Sequence, residues 1–198
     1  MIPLQSKFQS SRLIKRFGEL KYFLKITYLG SGVNSFNDCA NLEYINLDNI
    51  TYIAGNTGGQ NSTGSPLDYT NLTSIVLPNC TRAQTYCIKN HGWWNGRTMT
   101  DIGPLRIVVF GKLTTITGSY AFSYANRVSI FIYAKTPATG DTLNKNGYPT
   151  AIYVHDDVVD DYKAAPAFAN WVSYIKPLSE YTGEKPWEEL YPEELGLV

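Results

Sequence analysis

Cys87 and His91 stand four residues apart and are the nearest approach in this chain to a nucleophile beside a base. A working pair would also need an orienting group, and His91 and His155 are the only histidines from which a base can be drawn. The plainer reading of Cys39, Cys80 and Cys87 is as unpaired thiols that pack like small hydrophobes; their number is odd and their spacing irregular. Asp156, Asp157, Asp160 and Asp161 gather four carboxylates, but on a short helix they supply capping and a solvated face. No Cys-x-x-Cys is present, and the glycines from Gly55 to Gly64 are not followed by Gly-Lys-Ser/Thr, so neither a zinc site nor a phosphate loop is indicated. These residues predict a protein that is not an enzyme and needs no cofactor and no metal.

Aromatic side chains in polar loops are the stronger signal. Asn90-His91-Gly92-Trp93-Trp94-Asn95-Gly96-Arg97 sets two adjacent indoles among turn residues, so in an extended segment they face opposite ways. An exposed indole suits protein hot spots and sugar stacking; the alternative is that both pack over the neighbouring loop, Gly55 to Pro66. The candidate ligand-binding residues are therefore His91, Trp93, Trp94, Asn95 and Arg97, with Asn56 and Gln60 from the Gly-rich loop.

The elements that would position these loops are repeats. Asn41-Leu42-Glu43-Tyr44-Ile45-Asn46-Leu47 returns thirty residues later as Asn71-Leu72-Thr73-Ser74-Ile75-Val76-Leu77. The same columns continue with Asp101, Ile102, Leu105 and Ile107, then Asn126, Arg127, Ile130 and Ile132, then Ile152 and Val154. Cys39, Tyr69, Met99 and Tyr124 form an apolar column two places ahead of the Asn. A second β-prone motif recurs as Ile26 to Leu29, Ile50 to Ile53 and Leu113 to Ile116. Self-similarity at such periods marks units that bury their apolar faces only against neighbours. The spacing predicts a β-rich repeat solenoid of about five units with a parallel ladder, with α+β character at its ends. Residues 1–25 form an N-terminal helical cap, 26–150 the solenoid, 151–181 a strand-helix closing segment and 182–198 an acidic tail. The cap helix would run through Leu13, Ile14, Phe17, Leu20, Tyr22 and Leu24, and the closing helix would be capped by Asp156 or Asp157 and stopped by Pro166. The two insertions fall in successive units and are expected to be neighbours in space. Tyrosines such as Tyr44, alternating with the core columns, would line the ladder surface.

Phe36-Asn37-Asp38-Cys39-Ala40-Asn41-Leu42-Glu43-Tyr44-Ile45-Asn46-Leu47 and Leu72-Thr73-Ser74-Ile75-Val76-Leu77-Pro78-Asn79 resemble leucine-rich repeats of the BspA type, whose units read approximately Phe-x-x-Cys-x-x-Leu-x-x-Ile-x-Leu-Pro. Residues 151–179, with Ile152-Tyr153-Val154, Tyr162-Lys163-Ala164, Trp171 and Ile175-Lys176-Pro177-Leu178, resemble the segment that closes such repeats, with His155 where the family usually has Pro. The resemblance spans about residues 17–181 and implies a bacterial surface adhesin that binds protein or carbohydrate.

Seventeen basic and seventeen acidic residues cancel, which gives no field for nucleic acid or an anionic membrane. No run approaches the roughly 18 apolar residues of a membrane helix, and the opening from Met1 to Phe17 lacks the apolar core of a signal peptide. The charge is uneven: the first 25 residues are basic and the last nineteen acidic. Basic head and acidic tail suit head-to-tail or heteromeric assembly, which raises a second reading, a structural or receptor-facing component of a larger assembly such as a phage virion. The tail, with Trp187, Leu190, Tyr191 and Leu195 among its glutamates, would be either a second capping layer or a docking peptide.

Overall fold

A computed structural model describes residues 11–30, 35–55, 65–90, 103–122, 125–144 and 149–198. The fold is rich in parallel strands and poor in helix. Three parallel sheets are formed, and none closes into a barrel among the described residues. Strands β1 (Arg16–Phe17) and β3 (Tyr44–Ile45) pair as a two-stranded sheet. An inner five-stranded sheet runs in the order β10 (Thr139–Gly140), β8 (Thr115–Thr117), β6 (Arg82–Gln84), β4 (Tyr52–Ala54) and β2 (Tyr28–Gly30). An outer one runs β12 (Ile175–Pro177), β11 (Ala151–Val154), β9 (Ser129–Ile132), β7 (Ile107–Phe110) and β5 (Ser74–Leu77). From β2 to β11 the chain alternates between the inner sheet and the outer side, so each pass lies one strand further along both.

The repeat columns become the core. Ile75 pairs with Val108, Val108 with Ile130, Ile130 with Ile152 and Ile152 with Ile175, and Leu77, Phe110, Ile132 and Val154 make a parallel row. All point into one buried cluster with Leu29, Ile53, Ala83 and Ile116 of the inner sheet. The register corrects one column. The partners of Ile75 and Leu77 are Val108 and Phe110, not Leu105 and Ile107, so the step into β7 is 33 residues and the next is 22. Arg82–Gln84 supplies an inner strand that the sequence motif does not mark, because its one core residue is Ala83. Tyr69, expected among the apolar column, is instead half-buried with a positive φ of 57°, while Cys39 is fully buried; Met99 and Tyr124 lie outside the described residues.

Threonine hydroxyls tie the inner edge together. Thr51, Thr81 and Thr114 each donate through Oγ1 to the main-chain carbonyl of the preceding threonine, Thr27, Thr51 and Thr81, at 3.1–3.2 Å. Each of these carbonyls also accepts the main-chain N–H of the same donor threonine, so the hydroxyl adds a further donor where the strand begins.

At the N-terminus the expected helix is not formed. Arg16–Phe17 is a strand and Gly18–Tyr22 a single 3-10 turn, with Leu20 buried while Leu13, Tyr22 and Leu24 are exposed. Pairing with β3 satisfies the main chain of this segment, with the N–H groups of Glu43 and Asn46 donating to the carbonyls of Lys15 and Phe17, and it outweighs a helical spacing that lacks tertiary support. The strand and short helix expected from Ala151 onward are present, but neither Asp156 nor Asp157 caps the helix with its side chain. A 3-10 turn (Asp156–Val158) leads into α1 (Val159–Ala164), which ends before Pro166. Trp171, Phe168 and Tyr162 are buried in the main core, and Trp171 Nε1 donates to the Leu143 carbonyl at 3.2 Å. The carboxylate of Asp156 does not cap its own helix; its Oδ1 accepts the Ser179 N–H at 3.1 Å.

Candidate functional site

From β7 to β11 the outer sheet is buried on both faces, which the repeat pattern does not announce. Residues alternating with the core rows, Val109, Phe131, Ala151 and Tyr153, form a second cluster with Leu178, Trp187 and Leu195. The tail is therefore not a free acidic peptide, and the ladder surface past β7 is not an open platform. Residues 178–198 fold back across it through α2 (Pro186–Leu190). Trp187 is buried against Phe131 with ring centroids 4.8 Å apart, and Tyr181 meets Phe131 and Tyr153 edge-on at 4.8 and 5.2 Å. Trp187 Nε1 donates to the Tyr133 hydroxyl at 2.8 Å, and that hydroxyl donates to Glu188 at 2.5 Å. Burial and the Glu188 carboxylate both push the Tyr133 phenol up, so it stays a donor.

The far end of the tail crosses to the first repeat. Tyr191 Oη donates to Asp48 Oδ1 at 2.7 Å across 143 residues of sequence, and burial with this bond raises its pKa. Between these two anchorages the tail roofs a cavity of about 610 Å³. One wall is β3 and its neighbours, with Glu43, Tyr44 and Ile45; the other is Thr73, Ser74 and Val76, continuing to Arg106 and Ile107. Tyr181, Glu184, Pro186, Trp187, Leu190 and Tyr191 form the roof. Aromatic faces, two carboxylates and a guanidinium thus converge on one space. Arg106 is held by the carbonyls of Gly103 and Leu105 at 2.6 and 2.8 Å, and the Arg16 guanidinium lies 4.6 Å over the Tyr44 ring, so two walls are orientated before any ligand arrives. Leu190 is 70% exposed and Tyr44 40%, which leaves the mouth accessible.

The candidate residues His91, Trp93, Trp94, Asn95, Arg97, Asn56 and Gln60 lie outside the described residues. Their flanks are described and come together: the Gly55 N–H donates to the Thr85 carbonyl at 2.9 Å, and Ser65 Oγ donates to the Cys87 carbonyl at 2.8 Å. Asn90 holds the base of the second insertion by donating to Leu105 and Asn126 carbonyls at 2.9 and 2.7 Å. The cavity is not legible in the sequence because walls at 43–47, 73–76 and 106–107 meet a roof at 181–191 that lies outside the repeat. The legible signal was the tail's alternation of Trp187, Leu190, Tyr191 and Leu195 with glutamates, which marks an amphipathic segment needing a surface.

The thiols are poorly placed for chemistry. Cys39, Cys80 and Cys87 are buried and unbridged, burial holds the Cys87 thiol well above its ordinary pKa, and Cys80 is pushed up to about 12. No group of three metal-ligating side chains and no helix long and apolar enough to cross a membrane occurs among the described residues. Comparisons with protein-family models, curated proteins and solved structures find no match for this chain.

Proposed function

We propose that the chain is a non-enzymatic recognition module, built as a leucine-rich-repeat solenoid, that takes a protein or glycan ligand in the cleft between the outer ladder and the folded-back tail. The observation that carries this reading is the cavity of about 610 Å³ lined by Tyr44, Tyr181, Trp187 and Tyr191 with Glu43, Glu184 and Arg106. A concave space with aromatic surface and a few orientated polar groups is the usual form of a binding site. Passage of the chain between two parallel sheets, with core rows in register, supports the solenoid. The high pKa of the buried thiols supports a non-enzymatic role. Together with the resemblance to BspA-type repeats, this favours a surface-adhesin type of recognition. Assembly through the tail has less support, since Trp187 and Leu195 are buried within their own chain.

The test is a titration of oligosaccharides and peptides, followed by amide chemical shifts, against the wild type and two variants. Tyr44→Ala, at a partly exposed position, should keep the fold and weaken binding by about tenfold or more, as loss of an aromatic anchor does. Unchanged affinity in Tyr44→Ala, with loss in a variant carrying both Trp93→Ala and Trp94→Ala, would move the site from the cleft to the insertion.

A further inference from the structure

The outer ladder is interrupted where the cavity lies, and the interruption has the form of a missing strand. The inner sheet is continuous through the same two repeats: Tyr52 of β4 pairs with Arg82 of β6, and Ile53 with Ala83. On the outer side β3 and β5 do not pair, and their Cα atoms lie for the most part more than 8 Å apart, against about 4.8 Å for paired strands. The strands are brought back together at either end. The Asn71 N–H donates to the Leu42 carbonyl at 3.0 Å, and Asn79 Nδ2 donates to the Asp48 carbonyl at 3.1 Å.

Register shows which groups face the opening. Ile107 pairs across to β5 through the Thr73 carbonyl, so residues 73, 75 and 77 use their main-chain groups toward β7. Alternation then turns the N–H and C=O groups of Ser74 and Val76 toward β3. By the same logic Tyr44 and Asn46 bond to β1, which turns those of Ile45 toward β5. None of these inward-facing groups has a main-chain or side-chain partner among the described residues. Two parallel edges, each with unmade hydrogen bonds, face each other across a space wider than a pairing distance.

We propose that this slot takes an extended peptide stretch of a partner protein, inserted from the outer face as a short strand between β3 and β5. It rests on the recognition reading above and names the ligand class for that same cleft. Main-chain bonds to Ile45, Ser74 and Val76 supply the affinity, as in other strand-addition modes. Alternation decides the side chains. One set points inward toward Ile45 and Leu47, and the other points outward beneath Trp187 and Leu190, so both faces suit apolar or β-branched residues. Glu184 in the roof favours a basic residue beneath it, since Glu43 already faces Lys15 at 3.8 Å. A sugar would engage the aromatic faces and the carboxylates and leave the facing strand edges unused.

The probes are N-acetylated, C-amidated hexapeptides of alternating Val and Thr with one Lys moved along the sequence, their counterparts N-methylated at alternate amides, and the hexasaccharides of glucose and N-acetylglucosamine. Amide hydrogen exchange is read on the full chain. In the free protein the Ile45, Ser74 and Val76 amides exchange at least about tenfold faster than those of Val109 and Phe131; saturation with the best peptide slows them by about tenfold or more. N-methylation in the phase that blocks the strand bonds weakens that peptide by about tenfold, the loss expected from one or two hydrogen bonds. Val76→Pro, which removes a donor that the β7 pairing does not use, abolishes the protection.

Free-state protection of Ser74 and Val76 equal to that of Val109 would overturn the slot outright. So would equal affinity of plain and both N-methylated peptides, which needs no variant to fold. Binding of a hexasaccharide in the cleft with no peptide bound would overturn the strand while leaving the recognition reading in place. Silence of the cleft amides toward every peptide and sugar would overturn both.

Discussion

Trp187→Ala isolates the energetics of the folded-back tail. The indole is buried on Phe131 and its N–H is spent on the Tyr133 hydroxyl, so truncation removes a core-sized contact and one hydrogen bond. Large-to-small changes of this kind cost about 3–5 kcal/mol. Beyond Trp187 the tail is otherwise held by the burial of Leu195, worth roughly 2 kcal/mol, the bond from Tyr191 to Asp48, worth about 1 kcal/mol, and the charged bond between Tyr133 and Glu188, worth about 1–3 kcal/mol, while Tyr181 on Phe131 and Tyr153 anchors the segment before it. The loss is comparable to what then holds residues 187–198, so this stretch should let go locally while the main core, which does not include Trp187, stays folded. A loss of 3 kcal/mol raises the open population by about 150-fold. Endoproteinase Glu-C, which cuts beside Glu188, Glu189, Glu193 and Glu194, should therefore cleave the variant at least about a hundredfold faster than the wild type. Exposure of Phe131 and Tyr153 should be seen as dye binding without loss of the far-ultraviolet signal. Equal cleavage rates, or cooperative loss of the whole fold at room temperature, would refute the division into a core and a separately anchored tail.

Other consequences can be checked with simpler measurements. Ile75→Asp places a charge at a site 3% exposed in the middle of the core row, and should leave the chain unfolded or insoluble by circular dichroism; a soluble, cooperatively melting variant would refute the row. Hydrogen bonds from Ser179 hold the Asp156 carboxyl below its ordinary value, so its contribution to stability is complete above the unfolded pKa of about 4 and fades as pH falls through the folded one. The melting-temperature gap between wild type and Asp156→Asn should therefore be present at pH 6 and vanish on acidification; a gap constant down to pH 2 would contradict the assignment. At pH 8 the buried thiols of Cys39, Cys80 and Cys87 should resist maleimide in the folded chain and react in urea, and rapid native labelling of Cys87 would reopen a catalytic reading.

Much of the core was legible because burial on one face of a strand enforces an alternation that survives in the sequence. Leu42, Leu47, Ile75, Leu77, Ile130, Ile132, Ile152 and Val154 could each be assigned inward from spacing alone and are buried, whereas Ile45, assigned inward with Leu42 and Leu47, is only half-buried. The 22-residue step from β9 to β11 held, whereas the column at Leu105 and Ile107 was misplaced by three residues, because an insertion of unknown length sets no register until its strand is paired. Leu13 to Leu24 show helical spacing, yet pairing to Tyr44–Ile45 makes Arg16–Phe17 a strand and leaves only a 3-10 segment at Gly18–Tyr22, since local propensity is small beside tertiary hydrogen bonding. The candidate site was the least legible part. The sequence by itself determined which residues are apolar and at what period they return. Only the tertiary structure decided that the acidic tail lies over the outer face, that β3 and β5 stand apart, and that Tyr191 meets Asp48. The bond from Tyr191 to Asp48 spans 143 residues and that from Trp187 to Tyr133 spans 54, and a periodic pattern says nothing of what a segment outside the repeat will cover.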